Sequence, residues 1–253
     1  MTQSPVPVQA GWHQLSSPSA PPLRGWWAVP ADRAPRAAVL VLPEVFGVNG
    51  WVRSVAERLA GEGYAALAMP IFSRTAPELD VGYDAAGLAE GRCHRDQLTA
   101  DQFLADARSA IAWIQTQPGL EHRPIGCVGF CFGGHLALLA ATQPEVAATC
   151  DFYGARVSTD RPGGGPPTLA VLPQIAGRLL CFCGDQDPLM PPEELAAIRE
   201  ALAKAGQPPL VVAPGAGHGF MCEARADFHP AAAAAGWSQM LALFTETLEF
   251  APP

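Results

Sequence analysis

Charge is scarce in this chain. Only 16% of its 253 residues are Asp, Glu, Lys or Arg, and the balance is acidic, with a formal net charge of −8. No basic run occurs, so the cationic face of a general nucleic-acid binder is missing and no nucleic-acid partner is expected. Long apolar runs are missing too. None approaches the roughly 20 residues needed to cross a bilayer, which argues against a membrane-spanning role. The opening Met1-Thr2-Gln3-Ser4-Pro5 has no cationic start and no apolar segment after it, so it does not read as a secretory signal, and a cytoplasmic location is expected. Cysteine is present in an odd number, seven, with several in strand-like apolar runs. These read as reduced thiols rather than a disulfide framework. Cys127, Cys181 and Cys183 lack the usual zinc spacing and read as small buried residues, so no metal or cofactor is expected. No internal repeat is visible. Apolar residues, by contrast, make up 49% of the chain, enough for a substantial core.

Those apolar residues fall into an alternation of short strands and amphipathic helices. Residues 1–24 are rich in proline and polar residues and read as an irregular segment, followed by a strand over Leu23–Val29. Ala37–Leu42 is wholly apolar, as expected for a strand buried on both faces of a parallel sheet. Trp51, Val52, Val55 and Leu59 repeat at helical spacing. Tyr64–Pro70 is the next strand. Thr99 and Gln102 form a capping-box pattern that opens a helix with the stripe Phe103, Ala107, Ala110, Ile111, Ile114. Further strands are expected at Ile125–Gly129, Ala148–Tyr153, Arg178–Cys183 and Pro209–Ala213, with helices at about 192–205 and 231–249. This pattern predicts an α/β fold with a mostly parallel, doubly wound sheet flanked by helices, in a single domain over residues 25–250 with no large lid domain.

The most informative motif is Gly129-Phe130-Cys131-Phe132-Gly133. It reads G-x-C-x-G, a nucleophile elbow with cysteine in place of serine, between a strand and a small-residue helix. Such a turn holds the thiol at a helix N-terminus, where the helix dipole and free N–H groups favour thiolate and oxyanion. A nucleophilic cysteine needs a base, and the base needs an orienting acid. Of the six histidines, only His218 follows a late strand within a glycine-rich loop. The strand ending at Cys183 runs into Gly184-Asp185-Gln186-Asp187-Pro188. There Asp187 is preferred to Asp185, because Pro188 holds it extended at the strand end. The first buried strand ends in Leu42-Pro43-Glu44-Val45-Phe46-Gly47, and the backbone N–H groups of Val45 and Phe132 are the expected oxyanion donors. Glu44 beside them is either a solvated loop carboxylate or a proton acceptor for the thiol.

Pro-Glu-Val-Phe-Gly, Gly-Phe-Cys-Phe-Gly-Gly, Gly-Asp-Gln-Asp-Pro and Gly-His-Gly-Phe, in that order, resemble the dienelactone hydrolase (carboxymethylenebutenolidase) family of the α/β-hydrolase superfamily, from about residue 25 to 250. The resemblance implies Cys131 as nucleophile, His218 as its base, Asp187 as orienter, and Glu44 paired with the resting thiol. It implies Arg74 as the holder of a substrate carboxylate. The family's second carboxylate-binding arginine has no counterpart at Met221-Cys222-Glu223, and the next arginine is Arg225. The expected activity is cofactor-free opening of lactones or activated enol esters through a thioester, with a small-molecule lactone or ester as partner and a monomer or small homo-oligomer as assembly. The alternatives are a non-catalytic ligand-binding or redox-sensing scaffold, and a thioesterase or acyltransferase using the same residues.

Overall fold

The computed structural model describes residues 7–15 and 23–249. Along the chain it runs β1 (Val8–Leu15), β2 (Leu23–Pro30), β3 (Ala38–Leu42), α1 (Gly50–Gly61), β4 (Ala65–Ala68), α2 (Ala85–Arg95), α3 (Ala100–Ile114), β5 (Ile125–Phe130), α4 (Phe132–Ala140), β6 (Val146–Phe152), β7 (Arg178–Gly184), α5 (Pro192–Lys204), β8 (Val211–Ala213) and α6 (Pro230–Phe244). A 3-10 turn at Thr168–Gln174 precedes β7, and a π-helical turn at Thr245–Glu249 extends α6. The eight strands form one sheet in the order β1-β2-β4-β3-β5-β6-β7-β8. From β4 through β8 every pairing is parallel, while β1 and β2 run antiparallel at one edge.

Strand periodicity divides the core into two layers. On β3, Ala38, Leu40 and Leu42 face a cluster that contains Phe103, Ala107 and Ile111 of α3 and Leu136 of α4. Val39 and Val41 face the other side, against Val52, Val55 and Leu59 of α1 and Trp237, Met240 and Phe244 of α6. All five residues of β3 are buried, which is why its sequence is continuously apolar rather than alternating. The expected stripe of α3 is buried throughout, and its capping box forms: Gln102 N–H donates to Thr99 Oγ1, and Thr99 N–H to Gln102 Oε1.

Two features depart from the sequence reading. The N-terminal segment is not irregular over Val8–Leu15, which pair antiparallel with Leu23–Pro30 as an edge strand; residues 1–6 and 16–22 lie outside the described residues. Helix α2 was not anticipated. Asp84 caps its start by accepting from Gly87 N–H at 2.8 Å.

The topology positions the site. Glu44 follows β3, Cys131 follows β5, Tyr153 follows β6, Asp187 follows β7 and His218 follows β8. Because these strands are parallel, all five residues come to the same carboxyl edge of the sheet, where open α/β sheets bind ligands.

Candidate active site

Cys131 stands between β5 and α4 with φ 53° and ψ −117°, a sparsely populated conformation for a residue with a side chain. Its backbone is fixed from both sides: Cys131 N–H donates to Phe152 O at 3.0 Å, and Cys131 O accepts from His135 N–H at 3.1 Å. The glycines of the motif have a steric cause. A Cβ at Gly129 would lie 2.0 Å from Gly133 O, so strand and helix can meet this closely only without it. The thiol is half-buried and free, at the first turn of α4. The Val45 and Phe132 N–H groups donate to no other backbone group among the described residues, and both residues line the same cavity as Cys131.

His218 and Asp187 are brought together. Nδ1 of His218 lies 2.7 Å from Asp187 Oδ2, and both side chains are buried. The second oxygen, Oδ1, accepts from Leu189 N–H at 2.8 Å. Asp185 has the other role open to this segment: it is exposed, and its Oδ1 accepts from Gly215 N–H at 2.7 Å. Nε2 of His218 is buried with no hydrogen-bond partner from the protein. Burial alone would lower the imidazole's pKa, but Cys131 and Asp187 outweigh it and push the value up to about 10. Cys131 is the largest of the raising influences, and it lines the same cavity as His218.

The other histidines are accounted for. His135 is buried with Nδ1 on Ala155 O at 2.9 Å and Nε2 on Thr168 Oγ1 at 2.7 Å, and burial lowers its pKa to about 4. It is a neutral part of the cavity wall. His229 caps α6, accepting from Ala232 N–H. His13 lies on β1, His94 in the last turn of α2, and His122 in an exposed turn before β5.

Glu44 is neither solvated nor paired with the thiol. It is fully buried, and its Oε1 accepts from Arg225 Nη1 at 2.8 Å. A buried carboxylate is stabilised far more by a guanidinium than by a thiol, which explains the difference from expectation. Burial pushes the Glu44 carboxyl above its ordinary range, against the pull of Arg225 and His218. Arg225 is also 3.5 Å from Asp227 Oδ2, and its guanidinium lies 5.8 Å from the Phe46 ring and 5.9 Å from the Tyr83 ring. Gly219, at φ 91°, opens the way for it, since a Cβ there would be 2.6 Å from Arg225 Nε.

Arg74 does not meet these residues. Its guanidinium pairs with the buried Asp106 and with Gln102 O, and it does not line the cavity. Glu223 is turned away as well, accepting from Trp51 Nε1 at 2.6 Å and from Arg58. Arg225, which the sequence left without a role, does line the cavity. Its signal was present, seven residues past His218 in the same loop, but its partner Glu44 is 181 residues away.

The cavity measures about 720 Å³ and is walled by Val45, Phe46, Tyr83, Cys131, Phe132 and His218, among others. That is the size of pocket that encloses a whole small organic molecule. A half-buried sulfur and a buried imidazole–carboxylate pair beside such a space form an arrangement suited to acyl transfer.

Residues 23–248 match the model of the dienelactone hydrolase family. A provisionally named carboxymethylenebutenolidase of Synechocystis sp. is 37% identical over 228 residues, covering 90% of this chain and 93% of its own. One from Escherichia coli is 32% identical over 215 residues, covering 84% and 78%. A provisionally named dienelactone hydrolase of Klebsiella pneumoniae superposes with a TM-score of 0.83 at 26% identity, covering 95% of this chain and 99% of that one. The chain belongs to the dienelactone hydrolase family, with its single-domain α/β-hydrolase fold.

Proposed function

We propose that this member of the dienelactone hydrolase family is a cysteine-dependent hydrolase that opens lactones and activated esters through a thioester intermediate. The observation that carries the proposal is the buried His218–Asp187 pair at 2.7 Å, sharing a cavity with a thiol at a helix N-terminus. In acylation the Cys131 sulfur attacks the substrate carbonyl carbon. The N–H groups of Val45 and Phe132 hold the developing oxyanion, the C–O bond breaks, and the enolate or alkoxide leaves with a proton from His218. In deacylation His218, now neutral, takes a proton from water, and the hydroxide attacks the thioester carbonyl. The carboxylic acid departs and the sulfur is restored.

The electrostatics support this division of labour. In the free enzyme the sulfur is the largest influence that raises the His218 pKa. Acylation turns the sulfur into a neutral thioester and removes that influence. Burial, which opposes the charged ring, then gains weight, and the imidazole becomes a base at the step that needs one. Asp187 fixes the proton on Nδ1 and leaves Nε2 free to act.

Arg225 is the cation placed to meet a substrate carboxylate. It lines the cavity, and its partner is Glu44. A carboxylate arriving at Arg225 competes with Glu44, and a Glu44 released from its counter-ion becomes a stronger proton acceptor beside the cavity. This assigns to Arg225 the part that the resemblance gave to Arg74.

The test uses 4-nitrophenyl acetate and an enol lactone with the wild type, Cys131→Ser and Cys131→Ala. The wild type is expected to turn over both and, when quenched during turnover, to carry an acetyl group on the Cys131 peptide. Cys131→Ala is expected to lose turnover and adduct together. Equal turnover by the wild type and Cys131→Ala refutes the proposal. Iodoacetamide labelling of Cys131 without any activity to lose favours a non-catalytic sensor.

A further inference from the structure

Five buried side-chain polar atoms find no hydrogen-bond partner from the protein among the described residues: Glu44 Oε2, His94 Nδ1, Tyr153 OH, His218 Nε2 and Thr247 Oγ1. Buried polar atoms are nearly always paired, and leaving one unpaired is costly, so each needs a reason. His94 lies in the last turn of α2 and Thr247 in the turn after α6. The other three belong to residues at the carboxyl edge of the sheet, after β3, β6 and β8. Nε2 of His218 is the nitrogen that handles the reacting proton. Glu44 Oε1 is taken by Arg225, which leaves Oε2 over. The Tyr153 hydroxyl has neither kind of role.

Tyr153 is held in place under strain. Its φ of 47° lies in the left-handed region, which a bulky residue rarely adopts. Tyr153 N–H donates to Phe182 O at 2.7 Å, and the preceding carbonyl, Phe152 O, accepts from Cys131 N–H at 3.0 Å. The ring packs across the His218 turn, its centroid 5.2 Å from the His218 ring and 5.2 Å from the Phe220 ring. Gly219, between those two residues, lies against Arg225, and Arg225 holds Glu44. Burial pushes the Tyr153 pKa well above its ordinary value; Glu44, Cys222 and Cys131 push it the same way, and Arg225 opposes them. The phenol therefore keeps its proton and serves as a donor, set among Glu44, Arg225 and Cys131. Tyr153 and Glu44 are fully buried, and neither lines the cavity, unlike Cys131, His218 and Arg225. What fits between them is small and sits behind the cavity wall, out of reach of the body of a substrate.

We propose that Glu44 Oε2 and the Tyr153 hydroxyl bind the water that deacylates the enzyme and hold it against His218 Nε2. This rests on the hydrolase reading above and adds a binding site for the second substrate. The three atoms match the valences of one water molecule. It donates one hydrogen to Glu44 Oε2 and one to His218 Nε2, accepts from the Tyr153 O–H, and keeps a lone pair for the thioester carbonyl carbon. In the step, the O–H bond facing Nε2 breaks and its proton passes to His218. The water oxygen bonds to the carbonyl carbon, the C–S bond breaks, and its electron pair returns to the Cys131 sulfur. The carboxylic acid leaves with the other hydrogen of the water. Glu44 and Tyr153 neither gain nor lose a proton; they orient the nucleophile.

The experiment follows 4-nitrophenyl acetate through two rates. Release of 4-nitrophenol in the first turnover reads acylation, and loss of the acetyl group from the Cys131 peptide in quenched samples reads deacylation. Tyr153→Phe is expected to acylate within about twofold of the wild type and to deacylate about 10- to 100-fold more slowly, the scale on which a misplaced reactant costs rate. Its Tm should be unchanged or higher, because the hydroxyl removed has no partner from the protein. Glu44→Gln keeps an oxygen for Arg225 and turns an NH2 toward the water, so it should slow the same step. In the double variant the two losses should be less than additive, as expected of two groups on one water. Tyr64→Phe is the contrast: its hydroxyl donates to Glu249 Oε1 at 2.8 Å at the amino end of β4, so Tm should fall with both rates unchanged. Deacylation by Tyr153→Phe at the wild-type rate overturns the assignment and leaves the hydrolase reading intact. So does a loss shared equally by both rates, an additive double variant, or an equal deacylation loss in Tyr64→Phe. A wild type that neither acquires the acetyl group nor turns over fails the hydrolase reading itself and takes the assignment with it.

Discussion

Replacing Asp187 by Asn is the sharpest test of the site, because the structure specifies which way the new amide must point. Asp187 Oδ1 accepts from Leu189 N–H at 2.8 Å, and Oδ2 faces His218 Nδ1 at 2.7 Å. An asparagine that turned its NH2 toward Leu189 would set donor against donor, so its oxygen stays on Leu189 and its NH2 faces Nδ1. Nδ1 must then accept, and the ring proton moves to Nε2, the nitrogen that should take a proton from water. The charge of Asp187 and its hydrogen bond, both of which raise the His218 pKa, are lost as well. A wrong tautomer of this kind costs about 10⁴ in rate in hydrolases that use an acid–histidine–nucleophile arrangement, or about 5 kcal/mol at 1.36 kcal/mol per decade. We expect kcat/KM of Asp187→Asn for 4-nitrophenyl acetate to fall by about 10³–10⁴, with the loss in kcat. Asp185→Asn is the control, since an asparagine oxygen can accept from Gly215 N–H as Asp185 does at 2.7 Å. It should stay within about twofold of wild type, as surface changes usually do. An Asp187→Asn enzyme within tenfold of wild type, or a large loss in Asp185→Asn instead, refutes the assignment.

Three further outcomes are expected. Single-turnover deacylation should rise with pH and level off by about neutrality, because the thioester no longer supports the raised His218 pKa of about 10; a rate that climbs steadily from pH 7 to pH 10 shows that acylation leaves the ring as it was. Cys131→Gly should abolish turnover yet raise stability by about 1 kcal/mol, the difference between 1–3 kcal/mol of relieved strain at φ 53° and the entropy cost of glycine, seen as a Tm higher by roughly 2–4 °C; an unchanged or lower Tm means the elbow is not strained. Arg225→Met should cost about 3–5 kcal/mol at neutral pH, because Glu44 is left charged and fully buried. The sign with pH follows from Glu44, whose folded pKa is raised above its unfolded value: the folded state then holds the extra proton, so the penalty grows as pH climbs above the unfolded carboxylate pKa. Urea denaturation at pH 5 and pH 8 should therefore show the smaller loss at pH 5, and equal losses would mean that Glu44 does not titrate in the folded protein.

What the sequence made legible, and what it hid, follows from where each signal is stored. The parallel strands could be read because burial on both faces makes them continuously apolar, as in β3 and β5. Edge strand β1 could not, because most of Val8–Leu15 is exposed or half-exposed and carries no clean alternation. Helix α2 was invisible for a related reason: its two buried residues are Gly87 and Gly91, so there is no apolar stripe to see. Cys131, Asp187 and His218 were legible because each follows a strand of a parallel sheet, and chain order alone then brings them to one edge. The arginines were not, because the use of an arginine depends on which carboxylate lies next to it after folding. Asp106 lies among the turns of α3 like any polar helix residue, yet it is buried and takes up Arg74. Glu44 takes Arg225 across 181 residues. A catalytic group is fixed by its place on the backbone scaffold and can be inferred from sequence order. The use of an arginine depends on the acids that folding sets beside it, and that needs coordinates.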